Sequence, residues 1–367
     1  MLLRKLSLVN FKNIRSASAE FSAGINCLVG GNGAGKTNIL DAIYYLSMCK
    51  SALAMTDRQN LCHGEPFFVI EGAYDSDAGR HFDIVCSYAQ QGGKKVKNGS
   101  KEYDRIADHV GLIPVVIVSP ADAFLVSDAA EERRRYLNAF ISQLDRDYLQ
   151  TVMRYNAVLG ERNRLLKELS GPTQEEILSV LDQQLIAHGE KIHARRAAFI
   201  DRLRPLTAAY YRTLSDDREQ VELLYRSDLN DKPFEEVLKA SFERDRINQF
   251  TTAGVHRDDL SMRIGGRALR KYGSQGQQKS FLIALKLAQY VVVADTAAEK
   301  PILLLDDLFD KLDTERVERL IGLVGGDDFG QIFISDCNPH RLQSILEKNG
   351  SRYALFRVEA GHVEPNP

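Results

Sequence analysis

Read by the spacing of apolar residues, the chain changes texture twice. In the first third, apolar positions fall in short alternating or continuous runs: residues 6–11, 14–21, 25–29, 67–74 and 82–88 are predicted strands, with Gly92-Gly93-Lys94-Lys95 as a hairpin turn. Residues 115–118 are wholly aliphatic and predict a strand buried inside a sheet. Between the early strands, residues 35–48 predict a helix with Ile39, Ala42, Ile43 and Leu46 on one side. From 131 to 169 the period becomes helical, through Leu137, Ile141, Leu144, Tyr148, Val152, Tyr155, Leu159, Leu166 and Leu169, until Ser170-Gly171-Pro172 interrupts it. A second helical run carries Ile177, Leu181, Leu185, Ile192, Phe199, Leu203, Leu206 and Tyr210. Two helices of about 40 residues would make an antiparallel arm of roughly 60 Å, with Gly160 and Gly189 as kink points. The last third alternates helix 277–293, strand 302–305, helix 314–323, strand 332–334 and helix 339–346, the pattern of a parallel sheet covered on both faces. The expected organisation is an α/β protein split by an inserted helical lobe, with boundaries 1–128, 129–250 and 251–367.

Composition narrows the classes. Of 367 residues, 44% are hydrophobic and 27% charged, and a mean hydropathy of −0.27 fits a folded chain rather than a disordered one. No apolar run approaches the 18 or so residues that span a bilayer, so no membrane role is expected. Forty-eight Lys plus Arg against 50 Asp plus Glu leave a net charge of −2, so any nucleic-acid contact must rest on local patches. The five cysteines form no C-x-x-C pair, which disfavours a disulfide framework or a zinc site and suits a reducing cytoplasm.

The chemistry starts at Gly30-Gly31-Asn32-Gly33-Ala34-Gly35-Lys36-Thr37, a G-x-x-x-x-G-K-[ST] loop directly after a predicted strand and opening a predicted helix. Glycines let the backbone wrap a triphosphate, the helix N-terminus favours negative charge, Lys36 reaches the β and γ phosphates, and Thr37 offers a hydroxyl to Mg2+. A strand of four aliphatics ends in Asp306-Asp307, which places two carboxylates at the sheet's carboxyl edge. Asp306 is the expected Mg2+ ligand with Thr37, and Asp307 the group that orients or deprotonates an attacking water. Lys36 and Asp306 lie far apart in the chain, so the ATPase core is split around the lobe.

A second turn, Tyr272-Gly273-Ser274-Gln275-Gly276-Gln277-Gln278-Lys279, opens the helix at 277. It resembles the signature loop of ABC-type ATPases; as a plain element of structure it would be an exposed turn with a serine cap. That resemblance implies a head-to-tail dimer in which Ser274, Gly276 and Gln277 of one copy meet the γ-phosphate held by Lys36 of another. Phe309-Asp310-Lys311-Leu312-Asp313 resembles the D-loop of the same class, which implies that Asp313 lies near the dimer seam.

The opening Met1 to Arg15, GGNGAGKTNILDAIYYLS at 30–47, SPAD at 119–122 followed by Arg133-Arg134-Arg135-Tyr136-Leu137, GVHRDDL at 254–260 and LLLDDLFDKLD at 303–313 together resemble the bacterial RecF family over essentially the whole chain. The resemblance implies an ABC-type P-loop ATPase head with a helical lobe and a weak, DNA-dependent ATPase that uses ATP and Mg2+ and dimerises on ATP. It also implies binding to double-stranded DNA at junctions with single-strand gaps, and cooperation with RecR and RecO in loading RecA. The expected setting is recombinational repair, replication restart and the SOS response in the cytoplasm.

The chain departs from the wider ABC class in three places. Asp307 stands where a glutamate is usual, which implies slow hydrolysis; Ser335-Asp336-Cys337-Asn338 stands where many have a γ-phosphate-sensing histidine, His340 coming too late; and no glutamine is assignable to a Q-loop. A membrane-transporter subunit would share the loops and lack the arm, and a GTPase would carry N-K-x-D, which is absent. Candidate DNA contacts are Lys94, Lys95 and Lys97, Arg133 to Arg135, Arg195-Arg196, and Arg267, Arg270 and Lys271. For any single cluster the favoured reading is a solvated face pairing with Glu131, Glu132, Glu190 or Asp201. His256-Arg257-Asp258-Asp259 reads equally as a buried corner or a ligand contact, and His188 and His193 as helix-surface residues.

Overall fold

The computed structural model describes residues 1–366 other than 54, 128–129, 169–170, 308–311 and 327. Contacts divide the chain into one unit of Met1–Ala123, Ala209–Glu219 and the chain from Ser274 onward, and a second unit of Phe124–Ala208 and Gln220–Gly273. The insertion thus begins and ends differently from the expected 129–250: residues 251–273 group with the second unit and 209–219 with the first.

The first unit opens with β1 (Leu2–Phe11), β2 (Ile14–Glu20) and β3 (Ile25–Val29), then helix α1 (Lys36–Met48), β4 (Phe67–Asp75), β5 (His81–Ala89), β6 (Gly93–Asn98), β7 (Lys101–Glu102) and β8 (Val115–Val118). One sheet has the order β2-β1-β4-β5-β6-β7, antiparallel throughout. The expected hairpin turn at 92–95 lies earlier, because Gly93 already pairs with Ala89, and the buried Val96 alternates with Lys95 and Lys97 along β6.

The second sheet of this unit carries the chemistry. β12 (Ile302–Leu305), β13 (Ile332–Asp336), β14 (Tyr353–Glu359) and β15 (His362–Asn366) join β3 and β8 in the order β15-β14-β3-β13-β12-β8, parallel except at β15. β3, β8, β12 and β13 are buried along their whole length, as their near-continuous aliphatic sequences require. Parallel direction brings the carboxyl ends of these strands to one edge. α1 packs between the two sheets, with Ile39, Ala42, Ile43 and Leu46 fully buried. α8 (Gln275–Thr296), α9 (Thr314–Val324) and α10 (Pro339–Lys348) complete the unit.

The second unit holds α2 (Ala123–Ser127), α3 (Ala130–Leu144), α4 (Arg146–Glu168), α5 (Pro172–Ser215), β9 (Val221–Arg226), α6 (Phe234–Asn248), β10 (Asp259–Ile264), β11 (Arg267–Ala268) and α7 (Leu269–Tyr272), some of whose ends cross the boundary. The expected single helix over 131–169 is broken at Asp145, whose Oδ1 accepts the Tyr148 amide at 2.9 Å and caps a new helix. Only α5, with 44 residues, reaches the expected length; the 23 residues of α4 span about 35 Å. α4 and α5 are antiparallel: Arg162 pairs with Asp182, Tyr155 lies against Gly189, and the Tyr148 hydroxyl meets Arg196. Gly160 and Gly189 interrupt neither helix. Gly189 is instead a packing slot, where a Cβ would lie 2.4 Å from the fully buried Phe234 ring, and Gly254 at φ 122° faces the same ring from the other side. A three-stranded sheet, β11-β10-β9, makes the lobe more than helical.

Candidate functional site

The loop 30–35 leaves β3 at the shared carboxyl edge. Gly33 (φ 77°) and Gly35 (φ 115°) adopt left-handed backbone that favours glycine. Gly30 is demanded by space: a Cβ there would lie 2.1 Å from the Val358 carbonyl oxygen of β14. The loop is braced from outside. Asn13, in the β1–β2 turn, donates to the Gly33 carbonyl at 3.1 Å and accepts from Asn38 at 2.7 Å, while the Gly361 amide donates to Ala34 O at 2.9 Å. Asn13 and Asn38 were not singled out from sequence; a bare asparagine in a turn carries no signal until the loop lies over it.

α1 begins with no side-chain cap and no acidic residue in its first turn. Its N-terminal amides and macrodipole are therefore left to an anion. The Lys36 ammonium folds back over the loop, donating to Gly30 O at 2.7 Å and Gly31 O at 2.9 Å. A positive-φ glycine cradle, an uncapped helix start and a lysine at its mouth fit a polyphosphate.

Across the edge, the Thr37 hydroxyl donates to Asp306 Oδ1 at 3.0 Å, joining residues that sequence separates widely. The acidic strand is not a hydrogen-bonded neighbour of the loop strand: β13 lies between β3 and β12 and supplies the third participant. Ser335, 1% exposed, donates its hydroxyl proton to Asp306 Oδ1 at 2.6 Å and accepts the Asp307 amide at 3.0 Å. Asp307 holds φ 49°, and its carbonyl accepts from Lys279 of α8 at 3.0 Å, so both sides of this residue's backbone are pinned. Burial pushes the Asp306 carboxyl up, opposed by the bonds from Ser335 and Thr37. The adjacent Asp336 is also pushed up by burial; its Oδ1 accepts the Asn338 amide, while buried Oδ2 has no partner among the described residues. A hydroxyl and one buried carboxylate, with no cluster of three His, Cys, Asp or Glu among the described residues, suit Mg2+, which is held by few protein ligands and by phosphate.

Ser274, Gly276 and Gln277 sit at the start of α8. Ser274 Oγ accepts the Gln277 amide at 3.2 Å, Gln277 Oε1 accepts the Ser274 amide at 2.6 Å, and Gln277 Nε2 donates to Glu219 at 2.5 Å. This is a capping box. Ser274 is exposed, and among the described residues its Oγ and the Gln277 side chain bond within the α8 start and to Glu219 rather than to loop 30–37. Asp313 caps α9 by accepting the Arg316 amide at 2.8 Å; Phe309, Asp310 and Lys311 lie outside the described residues. His340 is exposed on the first turn of α10.

The basic clusters separate sharply. Lys94 is spent internally, on Cys49 O at 2.6 Å and Asp57 at 2.9 Å. Arg133 pairs with Asp259, Arg134 donates to Asp258 O, and Arg196, 3% exposed in its side chain, pairs with Asp258 at 2.6 Å. Arg135 pairs with Glu131 and Glu132, and Arg195 with Asp145. His256 bonds the Tyr155 hydroxyl through Nδ1 and Thr251 O through Nε2, and Asp258 is buried, whereas Arg257 is exposed. His193 stacks on Tyr225 and meets Asn230. The cysteines of the chain are free, four of them buried. No helix among the described residues is long and apolar enough to cross a membrane.

Comparison with known proteins agrees with this geometry. Residues 2–108 match the family described as the RecF/RecN/SMC N terminal domain. The chain is 46% identical over 363 residues to the DNA replication and repair protein RecF of Bacteroides thetaiotaomicron, covering 99% of this chain and 98% of the relative. It is 42% identical to that of Flavobacterium johnsoniae, over 98% of this chain and all of the relative. A structure titled as the recombination mediator protein RecF with ATP in the RecFOR pathway superposes with a TM-score of 0.87 at 27% identity, over 100% of this chain and 97% of that one. An Smc head domain from Pyrococcus furiosus shares the fold at a TM-score of 0.60 and 15% identity, over 99% and 95%. The fold is an ABC-type ATPase head with a helical lobe, and with close relatives matched end to end the chain belongs to the RecF family of DNA replication and repair proteins.

Proposed function

We propose that this chain is an ATP-dependent DNA-binding repair factor in which nucleotide occupancy controls grip on DNA. The observation that carries the reading is the meeting of Lys36 and Thr37 with Asp306 at one sheet edge, where a triphosphate laid along loop 30–37 would have its γ-phosphate beside both acids. Lys36 exchanges the Gly30 and Gly31 carbonyls for phosphate oxygens, and the α1 amides bind the bridging region. Thr37 and Asp306 would hold Mg2+, which when bound neutralises charge building on the phosphates. Asp307 takes the proton of a water whose oxygen bonds the γ-phosphorus as the bond to ADP breaks, leaving ADP and inorganic phosphate. Being one methylene shorter than glutamate, Asp307 reaches less far, which suits slow hydrolysis.

Ser274, exposed at a helix start, caps the γ-phosphate of a second copy, making the ATP-bound form a homodimer. The DNA is double-stranded, next to single-strand gaps, and the partners are RecR and RecO, which load RecA in recombinational repair, replication restart and the SOS response; the protein acts in the cytoplasm. What supports this reading is membership of the RecF family and the likeness to the ATP-bound RecF structure described as a recombination mediator of the RecFOR pathway.

The test is binding to gapped duplex at fixed salt, with and without ATP, for wild type, Lys36→Ala and Ser274→Arg. Wild type should tighten with ATP, Lys36→Ala should lose nucleotide binding, and Ser274→Arg should bind ATP yet form no ATP-induced dimer in light scattering. DNA affinity indifferent to ATP and to both substitutions would sink the reading.

A further inference from the structure

Several exposed cations of the second unit lie at its small three-stranded sheet. A cleft of about 250 Å³ opens between α3, β10 and α7, lined among others by Arg133, Arg226, Asp259, Ser261 and Arg270. Register puts Arg226 of β9 opposite Asp259 of β10, and Ser261 two residues on shares the face of Asp259. Asp259 does not neutralise the cleft, because Arg133 already holds it through two bonds, Nε at 2.5 Å and Nη2 at 3.2 Å. That leaves Arg226 and Arg270, both exposed and without an ion pair among the described residues. The chain continues this charge beside the cleft: Lys271 is exposed, and the Arg267 guanidinium lies 5.4 Å from the ring centre of Tyr272, itself 61% exposed.

We propose that this cleft, rimmed by Arg226 and Arg270, is where the chain grips backbone phosphates of duplex DNA. The inference rests on the DNA-binding reading above and assigns it a surface. Guanidinium forks match phosphate oxygens, and the Ser261 hydroxyl supplies a further donor. A lone carboxylate would be served by one arginine; a run of four unneutralised cations in and beside one cleft complements a polyanion carrying a charge every 1.7 Å or so of helix axis. Lys95 and Lys97 on β6 form a smaller exposed pair, and Lys97 lies opposite Glu102 of β7. Arg4 and Arg15 pair with Asp75 and Glu65. Arg226 and Arg270 belong to no part of the nucleotide site, so ATP binding should survive their loss.

The experiment is fluorescence anisotropy on a gapped duplex with ATP across a salt series. It compares wild type, Arg226→Gln with Arg270→Gln, Arg226→Lys with Arg270→Lys, and a Lys95→Gln with Lys97→Gln comparator, all checked for unchanged melting. The glutamine pair should bind a fluorescent ATP analogue normally, weaken on every DNA sequence alike, and flatten the slope of log K against log salt by about 2, roughly 0.9 per lost phosphate contact. The lysine pair should restore most of the slope, since a point charge suffices for positioning. An unchanged slope in the glutamine pair, with the comparator flattened instead, overturns the assignment. So does a glutamine pair that keeps DNA and loses poly-glutamate, which would mark the cleft as a site for acidic protein. A wild type that binds no DNA with or without ATP removes the functional reading and this surface with it, whereas intact wild-type binding with unaffected variants removes only the surface.

Discussion

Removing one hydroxyl should unsettle both carboxylates at once. Ser335→Ala deletes the 2.6 Å bond to Asp306 and the acceptor, at 3.0 Å, of the Asp307 amide. A hydrogen bond to a charged group is worth about 1.5–3 kcal/mol, and groups that orient a metal-binding carboxylate typically account for about 10–100-fold in metal affinity. The half-saturating Mg2+ concentration for binding a fluorescent ATP analogue should therefore rise by roughly 10–100-fold, while metal-free nucleotide binding through Lys36 stays as in wild type. The pH response fixes the cause. Burial raises the Asp306 carboxyl and Ser335 holds it down, so without Ser335 it rises further. In the proposed site Mg2+ would require the ionised Asp306 carboxylate and compete with the proton, so affinity should fall as pH drops through the Asp306 pKa, and the whole curve should move to higher pH in the variant. Ser335→Thr keeps the hydroxyl and should recover most of the affinity. Coincident Mg2+ titrations for wild type and Ser335→Ala would refute the reasoning, because the hydroxyl would then be filling space only.

Two further expectations concern the lobe. Arg162 is fully buried, paired with Asp182 at 2.6 Å and with the equally buried Asp245 at 2.8 Å. Arg162→Ala strands the Asp245 charge and should cost about 3–5 kcal/mol, or roughly 10 °C of melting temperature by calorimetry, with Arg162→Met plus Asp245→Leu recovering much of it; an unchanged melting temperature in the single variant would contradict this. Burial lowers His256 from 6.5 to about 4, so the fold favours the neutral ring. Its contribution is fully present above the unfolded value of 6.5 and is lost as pH falls toward 4, on the order of 3 kcal/mol at most. Denaturant titrations of wild type and His256→Gln between pH 7.5 and 4.5 should diverge in slope, and parallel curves would remove His256 from the acid response.

Much of the nucleotide site was legible in the chain because its chemistry is local. A loop that wraps phosphate needs glycines, a lysine and a helix start in unbroken succession, and 30–37 supplies them; a buried strand that ends at a ligand edge shows itself as 302–305 followed by two acids. The capping of α8 by Ser274 and Gln277 is local in the same way. Tertiary structure decided whatever depends on a partner distant in sequence. That β13 lies between β3 and β12, so that Ser335 bridges Asp306 and Asp307, follows from strand order, which aliphatic runs do not encode. The helical period over 131–169 looked unbroken because a single capping residue, Asp145, turns the chain without disturbing the apolar spacing. Charge was the least legible feature: Arg133, Arg196 and Arg270 are the same residue type in sequence. Asp259 and Asp258, brought over by folding, consume the first two and leave the third to solvent. Covalent neighbours fix which groups a segment offers, and only packing fixes which of them are already taken.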